Sequence, residues 1–161
     1  MKMFGYLNIR NNKIKTLVAV TTGKLIPIEE VNDEAFSSKA LGDGLAIIPE
    51  VDYVVSPCSG EITMLFPTLH SFGIKSDDGL NILIHIGVDT VALKGKGFKS
   101  FVKLGDRVKK AQKIISFDTV KMVNDKVDMT VMTVFPNCHM KLDIEKSGNV
   151  RSGKSIIVTY E

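Results

Sequence analysis

The chain has 161 residues, 44% of them hydrophobic and 24% charged, with a formal net charge of +3 from 21 basic and 18 acidic residues. That is enough for one domain with a real core, and the proportions exclude a disordered chain. So small a surplus does not point to a nucleic-acid surface, which needs a basic patch with interleaved aromatics; Lys109-Lys110 is only a short pair. Cys58 and Cys138 lack CxxC spacing and make no disulfide framework, so a reduced, cytoplasmic protein is the simpler expectation. No leader-like apolar run precedes a cleavage-like site, and the apolar stretch Leu80 to Val88 is far too short to span a bilayer.

In chain order, Met1 to Lys15 is polar and basic and is expected to fray or to form a loosely attached strand. Residues 16–161 then form a single domain. Short apolar stretches broken by turn residues predict strands at Leu17–Thr21, Lys24–Ile28, Leu45–Pro49, Tyr53–Ser56, Glu61–Phe66 and Phe72–Lys75. Further strands are predicted at Asn81–Ile86, Lys99–Phe101, Lys113–Phe117, Asp128–Val134, Lys141–Ile144 and Ser155–Tyr160. Asn32–Leu41 reads as a short helix that Gly42 can end. Phe117–Val127 is ambiguous, because Asp118 and Thr119 can cap a helix while Val120 and Val123 favour strand. The expected fold is all-β, a compact antiparallel β-sandwich or barrel-like sandwich with one or two short helices.

Two of the three histidines stand in parallel surroundings, His70 in Phe66-Pro67-Thr68-Leu69-His70-Ser71-Phe72 and His85 in Leu83-Ile84-His85-Ile86-Gly87-Val88-Asp89-Thr90. In a strand, His85 points away from Ile84 and Ile86, which suit a core-facing side. The turn Ser76-Asp77-Asp78-Gly79 allows two antiparallel strands to set both imidazoles on one sheet face. Imidazoles so placed can carry a proton, a metal or a phosphoryl group. A phosphoryl carrier needs a neutral nitrogen as nucleophile, with the other ring nitrogen oriented by a hydrogen bond, and donors for the transferred oxygens. His85 can be the nucleophile and His70 and Thr68 the donors, with Gly87 permitting close approach by a partner. The blander alternative is a pair of packed or exposed strand histidines, and residue chemistry alone leaves both open. His139, in a surface-turn context, is set aside.

The runs Val31–Pro49, Tyr53–Phe66 and above all Asn81–Val91 resemble the glucose-type IIA component of the phosphoenolpyruvate-dependent sugar phosphotransferase system. Leu93-Lys94-Gly95-Lys96-Gly97-Phe98, Gly105–Lys109 and Ile115–Asp118 fit the same pattern, and the likeness runs from about Val18 to the C-terminus. The resemblance implies a β-sandwich with both histidines on a shallow apolar face. It implies that His85 is the phosphorylated residue, His70 its partner, and Thr68 the hydroxyl that helps position His70 and the phosphoryl group. Phe36, Phe66 and Phe72 match an exposed apolar ring, and Asp33 and Asp89 match acidic positions at the partner interface. The partners implied are the phosphocarrier HPr as donor and a IIB-domain cysteine as acceptor, with transporters or kinases as regulatory targets. Contact with the membrane comes mainly through the permease. No cofactor is required; zinc on His70 and His85 is allowed only in a regulatory complex whose partner completes the ligand set.

The chain departs from the family at Ala19-Val20-Thr21-Thr22-Gly23, where relatives often carry Ala-Pro-x-Ser-Gly, and over Lys121–Thr133, where relatives are often more helix-like. Without attached IIB or IIC sequence, a separate IIA polypeptide is expected. Two rival functions stand beside the carrier. One is a regulatory binding module that holds partners without carrying phosphate, and the other is a small metallohydrolase, which needs more protein ligands.

Overall fold

The computed structural model describes residues 14–161, so most of the segment Met1 to Lys15 lies outside the described residues. Lys15 itself is part of a strand. It opens β1 (Lys15–Val18), pairs with Tyr160, and sets its amine 3.4 Å from Asp78. The remaining strands are β2 (Gly23–Pro27), β3 (Asp43–Pro49), β4 (Tyr53–Val55), β5 (Gly60–Leu65), β6 (Ser71–Ser76) and β7 (Asn81–Ile86). They continue with β8 (Phe98–Ser100), β9 (Arg107–Val108), β10 (Lys113–Phe117), β11 (Val131–Phe135), β12 (Leu142–Ile144), β13 (Gly148–Val150) and β14 (Ile156–Tyr160). Two α-helices, α1 (Glu34–Ser37) and α2 (Thr119–Asn124), fall inside the two predicted segments. Asp33 and Asp118 cap them, each carboxylate accepting a backbone N–H of the first turn.

All pairings are antiparallel. An eight-stranded sheet runs in the order β13-β2-β3-β11-β7-β6-β5-β9, with three-stranded sheets β1-β14-β12 and β4-β10-β8 beside it. The large sheet is open at both ends, so the fold is a sandwich and not a closed barrel. β9 and β13 escaped sequence reading because two or three residues carry too little alternation to register. Among the described residues no helix is long and apolar enough to cross a membrane.

Strand β7 shows how the sequence builds this arrangement. Ile82, Ile84 and Ile86 are buried in the main core with Phe72, Ile74 and Ile62. The intervening Asn81, Leu83 and His85 therefore face the other side, as strand periodicity requires. That outer side has its own partial cover. A 3-10 turn (Ile28–Glu30) and α1 lay Ile28, Val31 and Phe36 over Ile26, Ala46, Met132 and Val134, making a second, smaller apolar cluster. His85 is opposite Met132 in the β7–β11 register, beside this cover.

Phe72 is wholly buried and Phe36 is only 3% exposed, whereas Phe66 is 41% exposed. The expected ring of three exposed phenylalanines is thus reduced to one. Phe72 pairs with Ile84 and shares its inward orientation, while its neighbour Ser71 pairs with His85 on the outer face. One step along a strand decides the face. Phe72→Ala should therefore cost about 3–5 kcal/mol in denaturant unfolding, and Phe66→Ser about 1 kcal/mol or less. Equal losses would contradict this assignment of faces.

Candidate functional site

His85 and His70 are brought together by the β6–β7 hairpin. Ser71 pairs with His85, and the backbone N–H of Ile86 donates to the His70 carbonyl at 2.7 Å. The ring centroids are 4.9 Å apart with planes at 75°, an edge-on arrangement. His70 ends the tight β5–β6 loop, in which Leu69 takes a left-handed conformation and its N–H donates to the Phe66 carbonyl. Phe36 meets His85 edge-on at 5.0 Å, and Phe66 lies 5.2 Å from His70. Phe36 is therefore a buried wall of the site and Phe66 an exposed one.

Each imidazole has its Nδ1 occupied, in chemically different ways. His85 Nδ1 lies 2.9 Å from the Gly87 carbonyl, which can only accept. The ring must donate, so in the neutral imidazole the proton is on Nδ1 and the lone pair is on Nε2. His70 Nδ1 lies 2.6 Å from the Thr68 hydroxyl, which can donate or accept. A hydroxyl that donates leaves the His70 proton on Nε2.

The electrostatics keep both rings neutral near pH 7. Burial pushes the pKa of each below 6.5, and for His70 the neighbouring His85 adds to the effect. The Gly87 carbonyl, then Asp33 and Asp89, oppose that shift at His85. The two carboxylates reach His85 from different elements. Asp33 caps α1, and Asp89, exposed and left-handed at φ 56°, precedes a second 3-10 turn (Thr90–Leu93). Val91 of that turn is 55% exposed, a second exposed apolar side chain in a segment flanking a histidine.

Gly87, expected to let a partner approach closely, has a conformational task in the structure. Its φ is +81°, and a Cβ there would collide with the Thr90 methyl. This conformation turns the Gly87 carbonyl back toward His85. Thr90, fully buried, donates its hydroxyl to the Ile86 carbonyl at 2.5 Å. The backbone N–H groups of Gly87 and Val88 donate to the carbonyls of Thr130 and Asp128. The Asp128 carboxylate in turn accepts from the Thr130 N–H and hydroxyl. Thr90, Asp128 and Thr130 were not singled out from sequence. The available signal was a threonine placed four residues after a strand carbonyl it could reach.

His70 and His85 can fill two positions of a tetrahedral metal set, but among the described residues no group of three or more His, Cys, Asp or Glu side chains could hold a metal ion. Cys58 is buried and its thiol pushed up to about 12 by that burial and by Asp78 and Asp77, so it is inert at neutral pH.

Fold and site define a mostly-β protein that presents a paired-histidine site on the outer face of its principal sheet. Residues 15–140 match the model of the EIIA 1 family of the phosphoenolpyruvate-dependent sugar phosphotransferase system. The chain is 44% identical over 133 residues to the glucose-specific EIIA component of Bacillus cereus, covering 83% of this chain and 79% of that one. It is 39% identical over 150 residues to the corresponding component of Oceanobacillus iheyensis, covering 93% and 86%. The structure superposes on the glucose permease IIA of Mycoplasma capricolum with a TM-score of 0.84 at 38% identity, covering 92% of this chain and 96% of that one. The chain belongs to the EIIA 1 family and is a phosphoryl-carrying component of a sugar phosphotransferase system.

Two outcomes follow from this geometry. The imidazole resonances of His70 and His85 should titrate with midpoints below 6.5 in NMR. Because the unfolded chain then takes up these protons first, stability should fall as pH drops below 6.5 toward the folded midpoints. Midpoints at or above 6.5 would contradict the burial argument. Gly87→Ala should cost more than about 1 kcal/mol. Moving the Gly87 carbonyl away removes a contribution favouring the protonated ring, so the His85 midpoint should fall further; an unchanged midpoint would show that the carbonyl is not engaged.

Proposed function

We propose that His85 accepts a phosphoryl group from the phosphohistidine of HPr and passes it to a cysteine of a IIB domain during sugar uptake. The observation that carries this reading is the hydrogen bond from His85 Nδ1 to the Gly87 carbonyl, which leaves Nε2 as the free nucleophile. In the first step a bond forms between His85 Nε2 and phosphorus while the bond from phosphorus to the HPr histidine breaks. In the second step the IIB thiolate displaces the group, and the lone pair returns to His85.

His70 supplies a donor to the equatorial oxygens when Thr68 donates to its Nδ1 and its Nε2 carries the proton. Depressed pKa values suit both roles, since a protonated His85 has no lone pair to attack with. Asp33 and Asp89 stand where they repel a phosphoryl group but attract basic residues of a docking partner. Phe66 and Val91 supply exposed apolar contact, and Phe36 backs the reacting ring from beneath. One site serves donor and acceptor in turn. Transfer needs no metal; zinc on His70 and His85 would require a partner protein to complete its ligands. Transporters or kinases that dock on the same face would be regulatory targets, and the cytoplasm is where such a carrier meets HPr.

A metallohydrolase is less well supported, because the histidine pair has no third protein ligand among the described residues. A purely regulatory module has no use for a defined His85 tautomer.

The test is incubation with labelled phosphoenolpyruvate, enzyme I and HPr. Acid-labile label should appear on the chain and vanish in His85→Ala. His70→Gln should still accept label but deliver it more slowly to IIB, since an amide offers a donor without the imidazole's electrostatics. No label on the parent chain, with partner binding retained, would favour the regulatory module. Equal delivery by parent and His70→Gln would remove His70 from the mechanism.

A further inference from the structure

Positive charge is concentrated in one part of the chain. The twenty positions from Lys94 to Lys113 hold seven lysines, one arginine and a single acid, Asp106, for a net +7 against +3 overall. The rest of the chain therefore carries −4. All eight cations are exposed. Of these eight cations only Arg107 has a carboxylate partner among the described residues, Asp77; none of the seven lysines forms an ion pair there.

This segment is more than a solvated charged run, because apolar groups are exposed within it. Phe101 is 46% exposed, and the Nζ atoms of Lys99 and Lys113 both lie over its ring, at 5.1 and 5.2 Å. Lys113 also lies over Tyr53 at 4.9 Å. Leu104, 65% exposed, occupies the following loop beside Lys103. Fold and sequence thus collect like charges around an uncovered apolar centre, which water alone does not favour.

We propose that this face, centred on β8 and the Phe101–Leu104 loop, docks on membranes bearing anionic phospholipid. Phe101 and Leu104 enter the interfacial layer, and Lys99, Lys103 and Lys113 meet the headgroup phosphates. Lysine is a hydrated point charge on a flexible apolar stem, suited to a diffuse anionic plane, whereas an acidic protein surface is better matched by bidentate arginine. The only arginine here is engaged by Asp77. The patch belongs to the β4-β10-β8 sheet and the histidines to the eight-stranded sheet, so lipid and phosphoryl partners use different sheets. This inference does not rest on the proposed transfer chemistry.

The test is cosedimentation of the full chain with vesicles of phosphatidylcholine, with and without phosphatidylglycerol, at increasing salt. Binding should require phosphatidylglycerol and weaken as salt rises. The double variant Lys99→Glu/Lys113→Glu should bind about thirtyfold more weakly or worse. Leu104→Asp should also weaken binding, and both variants should keep the parent's thermal unfolding and its labelling by HPr. Absence of binding to phosphatidylglycerol vesicles at low salt would overturn the proposal. Undiminished binding by both variants would do the same, by placing the affinity elsewhere in the chain. Capture by soluble polyglutamate but not by vesicles would also overturn it, in favour of an acidic protein partner.

Discussion

The hydrogen bond from the His85 ring to the Gly87 carbonyl is the contact on which the proposed chemistry depends. An unrestrained imidazole exchanges its proton between two nitrogens and rotates, presenting a nucleophile only part of the time. Here a carbonyl two residues away in the chain fixes both the tautomer and the ring orientation. The restraint is local, but what makes it possible is not. Gly87 must adopt a positive φ, Thr90 must fill the space beside it, and Asp128 and Thr130, just before strand β11, must receive the turn's N–H groups.

Burial adds a second constraint. An imidazole in water is partly protonated near neutral pH, and two adjacent ones discourage each other's charge only weakly. Seating His70 against Phe66 and His85 against Phe36 removes water and lowers both pKa values. The acidic residues at the rim limit this effect at His85 without cancelling it. The site is therefore dry enough to hold neutral rings and open enough to leave His85 half-buried and not sealed.

Much of this was legible in the sequence, for reasons that differ by residue. Alternation in Asn81–Ile86 located β7 to its ends and put His85 on the outer face, because a two-residue period leaves no intermediate orientation. The Ser76–Gly79 turn was readable from turn chemistry, and with it the approach of the two histidines. The burial of Phe36, which does line His85, and of Phe72, which faces the core, was not legible because phenylalanine suits a core and a docking patch equally. Their burial is decided by α1 folding over the sheet and by strand parity at Ser71, both settled by tertiary packing. The roles of Thr90 and Asp128 left little trace for a similar reason: a hydroxyl donating to a strand carbonyl and a carboxylate accepting from Thr130 follow no periodic pattern.

The same contrast applies to charge. A net +3 read over the whole chain suggests an undistinguished surface, and the short Lys109-Lys110 pair supports that impression. Folding sorts the charges. Lysines separated by fourteen positions in sequence, Lys99 and Lys113, converge on one phenylalanine ring because β8 and β10 are paired.

The most direct test of the central claim is a long-range proton–nitrogen NMR correlation of the imidazoles in unphosphorylated protein above the histidine midpoints. The structure predicts that His85 shows the neutral pattern with its proton on Nδ1 and a bare Nε2. A proton on Nε2, or an even mixture of the two tautomers, would contradict it.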